Sequence, residues 1–272
     1  MIESVTINYN NSNPPRGYWW LTCDGDGNPR HLLPEKINFE NGLNIVIGNN
    51  GCGKTTLLKL ITDLCFVRGL STHIFWDIVE KVYPNCDWIY KDYNTIQDVV
   101  SISNNFDCPI FKIDSLADKL SQNYNQIDNF KDFQQFWSER NMSKGQKTMS
   151  GLIWSVNSIN EQMKNYSWRN MFPKDYEKKV NDTWATAYDM LYKYIDTHNN
   201  TTLEKRATIL MDEPDEGLDI NNLKVLKEFL LKARENTQVI AVLHNQLLID
   251  SLSDNANVIE LSKDYLQQIR EF

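Results

Sequence analysis

Apolar positions along this chain fall either in short continuous runs or at helical spacing, and the runs carry most of the information. Leu43-Asn44-Ile45-Val46-Ile47, Ala207-Thr208-Ile209-Leu210-Met211 and Val239-Ile240-Ala241-Val242-Leu243 have strand length and few polar interruptions. Such runs predict strands buried on both faces of a sheet. Between and after them the spacing changes to that of helices. Thr55 to Phe66 places Leu57, Leu58, Ile61, Leu64 and Cys65 on one stripe. Met149, Leu152, Ile153, Val156 and Ile159 form a second stripe, and Leu223, Leu226, Phe229 and Leu230 a third. Asp175 to Asp196 predicts a further helix, with Val180, Trp184, Ala187, Tyr188, Leu191 and Ile195 on one face, preceded by Trp168, Met171, Phe172 and Pro173. Near the start, Tyr18, Trp19 and Trp20 read as part of a strand ahead of a hairpin turn at Asp24-Gly25-Asp26-Gly27-Asn28. That turn lacks the distal Glu of a calcium loop. Pro109 to Asp114 is strand-like. Alternation of strands and helices predicts an α/β fold.

Composition limits the organisation and the partners. At 272 residues, 41% of them hydrophobic, the chain predicts one α/β domain spanning 1–272, with embellishments. No apolar run approaches the ~20 residues that cross a bilayer, and the N-terminal residues lack the pattern of a secretion signal, so a cytoplasmic location without direct membrane insertion is expected. The net charge of −8 does not indicate nucleic acid as a partner. The densest basic pairs, Lys178-Lys179 and Lys205-Arg206, are short and sit among acids. Five cysteines (Cys23, Cys52, Cys65, Cys86 and Cys108) contain no C-x-x-C pair, which predicts reduced thiols.

The chemistry begins where the first buried run ends. Gly48-Asn49-Asn50-Gly51-Cys52-Gly53-Lys54-Thr55 fills the pattern G-x-x-x-x-G-K-[ST] between a predicted strand and a predicted helix. Glycines 48, 51 and 53 let successive N–H groups face phosphates while the helix directs its positive end at them. Lys54 is then placed to neutralise β- and γ-phosphates and Thr55 to hold Mg²⁺, with Thr56 completing the candidate nucleotide-binding set. The second run ends in Asp212-Glu213-Pro214. At that end of a strand Asp212 suits Mg²⁺, Glu213 suits polarisation of the attacking water, and Pro214 stops the strand. The third run ends in His244, a candidate γ-phosphate contact.

Met142-Ser143-Lys144-Gly145-Gln146 opens the helix containing Met149 and Leu152. With this segment in place, the chain resembles the ATP-binding-cassette (ABC) ATPases over most of its length and in the family's order. The resemblance implies a P-loop NTPase fold with N-terminal antiparallel β elements and a helical subdomain. Met142 to Gln146 resembles the family's Leu-Ser-Gly-Gly-Gln signature, Asp212 and Glu213 its Walker B pair, Gly217 to Asp219 its D-loop, and His244 its switch histidine. Met142 for Leu and Lys144 for Gly depart from the pattern; the lysine adds positive charge near a surface that meets ATP in the family.

The resemblance implies Mg-ATP as ligand and head-to-tail pairing, in which Ser143, Gly145 and Gln146 approach ATP held by the opposite subunit. A homodimer would supply both composite sites, and a heterodimer with a related chain would do the same. Asp219 takes the D-loop role, and Gln97 is the weakest of the metal-site assignments. The adenine platform is one of Tyr18, Trp19 or Trp20. Gly145 and Asp212 stand 67 positions apart (212 − 145), more than the family's signature helix needs. The helical and signature region is therefore placed at about 67–160 and a helical insertion at about 164–204, which either packs on its own domain or docks a protein partner. The leading expectation is an ATPase whose nucleotide-driven dimerisation switches an effector, similar to stand-alone ATPases of anti-phage defence or DNA maintenance. The alternatives are the nucleotide-binding subunit of a membrane ABC transporter, a DNA-end ATPase, and a nucleotide-binding module without turnover.

Overall fold

β1 (Ile2–Ile7) shows why a short N-terminal segment folds as a strand: Ile2, Val5 and Ile7 are buried while Glu3 is exposed. A register shift between Ile2 and Ser4 breaks strict alternation, as a bulge does. In the computed structural model, residues 1–10, 19–23, 26–28, 30–64, 99–104, 110–113, 143–164, 207–233 and 237–271 are described. Contacts divide the chain into two compact units. One comprises Met1–Phe39, Asn50–Phe111 and Asn165–Thr208; the other comprises Glu40–Asn49, Lys112–Lys164 and Ile209–Phe272.

In the first unit, β1 lies between β2 (Lys36–Asn38) and β4 (Val100–Asn104), antiparallel to both. This sheet is antiparallel throughout. Trp19 and Trp20, however, belong to a short helix, α1 (Trp19–Thr22), and not to a strand. The reason is generic: a brief apolar run is compatible with either state, and only its surroundings decide. The chain then reverses, with Arg30 N donating to the Thr22 carbonyl at 2.8 Å and Gly27 in a left-handed conformation at φ 82.

The second sheet has the strand order β5-β6-β7-β3-β8, with β3 (Leu43–Ile47), β5 (Ile110–Ile113), β6 (Ala207–Asp212), β7 (Thr237–Val242) and β8 (Asn257–Glu260). β3 runs parallel to both β7 and β8. All five residues of β3 are buried, including the polar Asn44. Its side chain is satisfied from both sides. Oδ1 accepts from Glu40 N at 2.8 Å and Asn257 Nδ2 at 2.9 Å, and Nδ2 donates to the Glu40 carbonyl at 2.9 Å. Nδ2 also reaches the Gly42 and Val239 carbonyls at 3.3 Å. Asn44 thus clips β3 to both parallel neighbours, which is how a polar residue survives in this core.

The helices follow the predicted stripes in part. α2 (Lys54–Leu64) buries Leu57, Leu58, Leu60 and Ile61. α4 (Ile220–Ala233) buries Leu223, Leu226 and Leu230 and packs on β3, β7 and α5 (Gln246–Ser253). α3 (Lys144–Lys164) buries Met149, Leu152 and Ile159, but Ile153 is 54% exposed, so the apolar face is narrower than its spacing suggests. α6 (Tyr265–Glu271) packs on α5, where Arg270 bonds Asp250, Asp254 and Ser253. These carboxylates hold the Arg270 guanidinium above its ordinary pKa. Among the described residues, no helix is long and apolar enough to cross a membrane. Tyr18, Gln97, Met142, Trp168 and the helix expected from Asp175 to Asp196 lie outside the described residues.

Candidate functional site

The glycine loop leaves β3 at Gly48 and enters α2 at Lys54, so the strand, loop and helix occur as the motif requires. The first bond of the helix runs from Leu57 N to the Gly53 carbonyl at 2.9 Å. Gly53 has φ 101, and a Cβ there would stand 2.7 Å from Leu33 Cδ2. The backbone angle calls for glycine, whereas the nearest atom is the far end of a leucine side chain that can yield. Lys54 is buried at 5% exposure, whereas Thr55 is exposed and Thr56 and Cys52 are half-buried. Cys52 and Cys23 are free thiols. Asn49 N donates to Ser262 Oγ at 2.9 Å, tying the start of the loop to the turn after β8. Asn50 and Gly51 are exposed, and a Cβ on Gly51 would meet nothing, although its φ of 81 favours glycine.

In the second unit, Gly48 and Asn49 share one end of the sheet with the ends of β6 and β7. Val46 pairs with Val242, and Leu243 N reaches the Val46 carbonyl at 3.3 Å. Asp212 ends β6, half-buried, and Glu213 follows with φ 50. A non-glycine residue in that region carries strain of about 1–3 kcal/mol, and proline at the next position restricts it further. Glu213 N donates to the Val242 carbonyl at 3.2 Å, which fixes the turn against β7. The Glu213 side chain thereby comes to His244, with Oε1 3.0 Å from Nε2. The approach is close but not aligned as a hydrogen bond, and among the described residues Nε2 has no hydrogen-bond partner. Asp215, buried in the same turn, accepts from His244 N at 2.8 Å and Asn245 N at 2.5 Å through Oδ2.

The start of α3 is built as a reciprocal cap. Ser143 N donates to Gln146 Oε1 at 2.9 Å, and Gln146 N donates to Ser143 Oγ at 3.3 Å. This Ser-x-x-Gln box was open to detection in the sequence, since Ser followed three residues later by Gln marks a helix start. The same end of α3 docks on the turn after β6. A Cβ on Gly145 would collide with the Gly217 carbonyl oxygen, Lys144 lies over Gly217 (φ 72), and Thr148 Oγ1 reaches the Glu216 carbonyl at 3.4 Å. Lys144 Nζ is paired with the Glu216 carboxylate. The extra positive charge expected of Lys144 is thus partnered within the chain. Asp219 is the cap of α4, its Oδ1 accepting from Asn221 N at 3.0 Å and Asn222 N at 2.9 Å.

One arrangement near the glycine loop escaped the pattern of the sequence. Tyr9 and His31 stack with ring centroids 4.0 Å apart and planes 8° from parallel. The Tyr9 hydroxyl donates to the Leu33 carbonyl at 2.7 Å and accepts from Leu33 N at 3.0 Å. Burial pushes that hydroxyl above its ordinary pKa, with the Leu33 bond acting in the opposite sense. Because Leu33 also abuts Gly53, the stacked pair is linked to the loop through one residue. The sequence signal was an aromatic residue two positions after β1.

No protein-family profile matches the chain. ABC transporter A family member 4 of Dictyostelium discoideum is 43% identical over 51 residues, which make up 19% of this chain and 3% of that protein. Among solved structures, the crystal structure of Stu0660 of Streptococcus thermophilus aligns with 85% of this chain and 73% of its own, at 14% identity and a TM-score of 0.32. The likeness to ABC proteins is therefore confined to one short stretch.

Proposed function

We propose that this chain binds Mg-ATP and hydrolyses it. The observation that carries the reading is the meeting of Glu213 and His244, 3.0 Å apart, at the sheet end from which the glycine loop departs. Glu213 serves as the group that polarises the attacking water, and His244 contacts the γ-phosphate. Lys54 neutralises phosphate charge. The loop and the first turn of α2 supply the N–H groups and positive dipole that favour an anion. Among the described residues no cluster of three metal-ligating side chains exists. Thr55 and Asp212 are the residues proposed to hold Mg²⁺ arriving with the nucleotide, an ion that keeps waters and phosphate oxygens among its ligands. His31, stacked on Tyr9, is a further candidate for the adenine platform beside Tyr18, Trp19 and Trp20.

The finer reading is that two copies pair head to tail around ATP, with Ser143, Gly145 and Gln146 facing the opposite copy's nucleotide and Asp219 near the seam. That pairing would switch a protein effector, in anti-phage defence or DNA processing. The short likeness to a protein named an ABC transporter supports nucleotide binding and also keeps a second reading in view, the nucleotide-binding subunit of a membrane transporter. Phosphate release from Mg-ATP by the purified chain, abolished by EDTA, tests the activity. Absence of phosphate release under conditions where ATP binds would reject hydrolysis. Co-purification from the native cell separates the two settings, since a membrane-embedded protein supports the transporter reading and a water-soluble effector the switching one.

A further inference from the structure

We propose that Asp215 is a positioning residue that sets the geometry of Glu213 and His244; what that pair does rests on the ATPase reading above. Asp215 is 4% exposed, in the turn that follows Glu213. Its Oδ2 accepts two successive backbone N–H groups, from His244 and Asn245, at the end of β7. Consecutive N–H groups of this kind form a concavity for an anion, and the chain fills it with its own carboxylate.

The consequence is a clamp with two jaws. Glu213 N holds the Val242 carbonyl at 3.2 Å, and Asp215 holds the next two amides along the same strand end. Between the jaws, the turn is closed by Glu216 N to the Glu213 carbonyl at 3.1 Å and Leu218 N to the Asp215 carbonyl at 3.3 Å. The imidazole of His244 springs from the residue whose amide Asp215 grips, so its approach to Glu213 follows the clamp. Asn245, gripped in the same way, passes the constraint to α5 by accepting from Leu248 N at 3.0 Å. Among the described residues Asp215 Oδ1 is buried without a hydrogen-bond partner. Both N–H groups converge on Oδ2, so an amide that keeps one oxygen there preserves the tether.

The test combines turnover with a direct view of the histidine. Mg-ATP hydrolysis is compared for the intact chain, Asp215→Ala, Asp215→Asn, His244→Ala and the double variant Asp215→Ala/His244→Ala. Misplacing a reacting group costs on the order of 10²-fold, so Asp215→Ala should lower kcat by about that factor at unchanged KM. Asp215→Asn should recover most of the loss. The double variant should be no slower than His244→Ala, because the tether acts through a residue already removed. Multiplied losses in the double variant, or an unaltered kcat in Asp215→Ala, would overturn the proposal. The ring-proton resonance of His244 is one of four histidine signals and is identified by its loss in His244→Ala. It should move in Asp215→Ala and return in Asp215→Asn, and a resonance that stays put would overturn the tether whether or not ATP is turned over. If the intact chain hydrolyses no ATP, the ATPase reading fails while the histidine resonance still decides the clamp. Should Asp215→Ala not fold, Asp215→Ser, whose hydroxyl can accept one of the two N–H groups, gives the same comparison.

Discussion

Glu213 Oε1 stands 3.0 Å from His244 Nε2, although the two residues belong to the ends of different strands. What joins them is backbone: the bond from Glu213 N to the Val242 carbonyl and the left-handed turn at Glu213 that Pro214 follows. Strain of this kind persists only where its surroundings hold it, and here the holders are the buried ends of β6 and β7.

If the glycine loop holds the nucleotide as proposed, Lys54 is the cation that neutralises its phosphates. A ligand at 100 times its dissociation constant adds ~2.7 kcal/mol of stability. Lys54→Ala should lose most of the thermal shift produced by Mg-ATP. An unaltered shift would reject the glycine loop as the nucleotide site.

Gly145 permits close contact with the turn after β6. Gly145→Ala would drive a methyl group into the Gly217 carbonyl, and overpacking of this sort costs about 1–3 kcal/mol. Denaturant melts should show that loss, and wild-type stability would mean that α3 shifts freely off the turn.

The cap at the start of α3 allows its structural role to be separated from a role on nucleotide. Ser143→Ala should cost about 1 kcal/mol of stability through the lost cap. Lys144→Ala should cost at most about 1 kcal/mol, since its pairing with Glu216 is largely exposed. If Ser143 also meets ATP on a second copy, Ser143→Arg should abolish an ATP-dependent dimer seen by light scattering. A dimer indifferent to Ser143→Arg would remove Ser143 from that interface.

Tyr9 makes stability depend on alkaline pH. Burial raises its folded pKa above 10.0, so the folded state holds the phenolic proton more tightly than the unfolded state does. The resulting stabilisation is present below about pH 10 and is lost as pH rises from there through the folded pKa. Tyr9→Phe should remove that alkaline component and cost about 1–3 kcal/mol at neutral pH, because Leu33 N loses its acceptor. Equal pH dependence in both proteins would contradict this role.

The parts of the fold that were legible in the sequence were those with one local cause. β3 is found over the residues that its apolar run marks, α2 buries Leu57, Leu58 and Ile61 of its stripe, and α4 buries Leu223, Leu226 and Leu230 while Phe229 is half-buried. Asn44 shows the limit, since its tolerance in a buried strand comes from Glu40, Val239 and Asn257, and only folding brings these together. Trp19 and Trp20 were misread because four residues have too little periodicity to distinguish a helical turn from a strand. In the site, Glu213 and His244 were legible from their places after buried runs. The clamp by Asp215 was not, because it depends on where two successive amides point. The Tyr9–His31 stack joins residues whose separation of 22 positions (31 − 9) carries no pattern.

Hydrolysis assisted by Glu213, as proposed, is decided by turnover and binding measured in one variant. Glu213→Gln should keep the affinity for Mg-ATP, which depends on Lys54 and Asp212, while slowing phosphate release by roughly 10²–10⁴-fold, the scale of a lost general base. Bound ATP should then persist on the protein. A Glu213→Gln protein that releases phosphate at the wild-type rate would contradict the account.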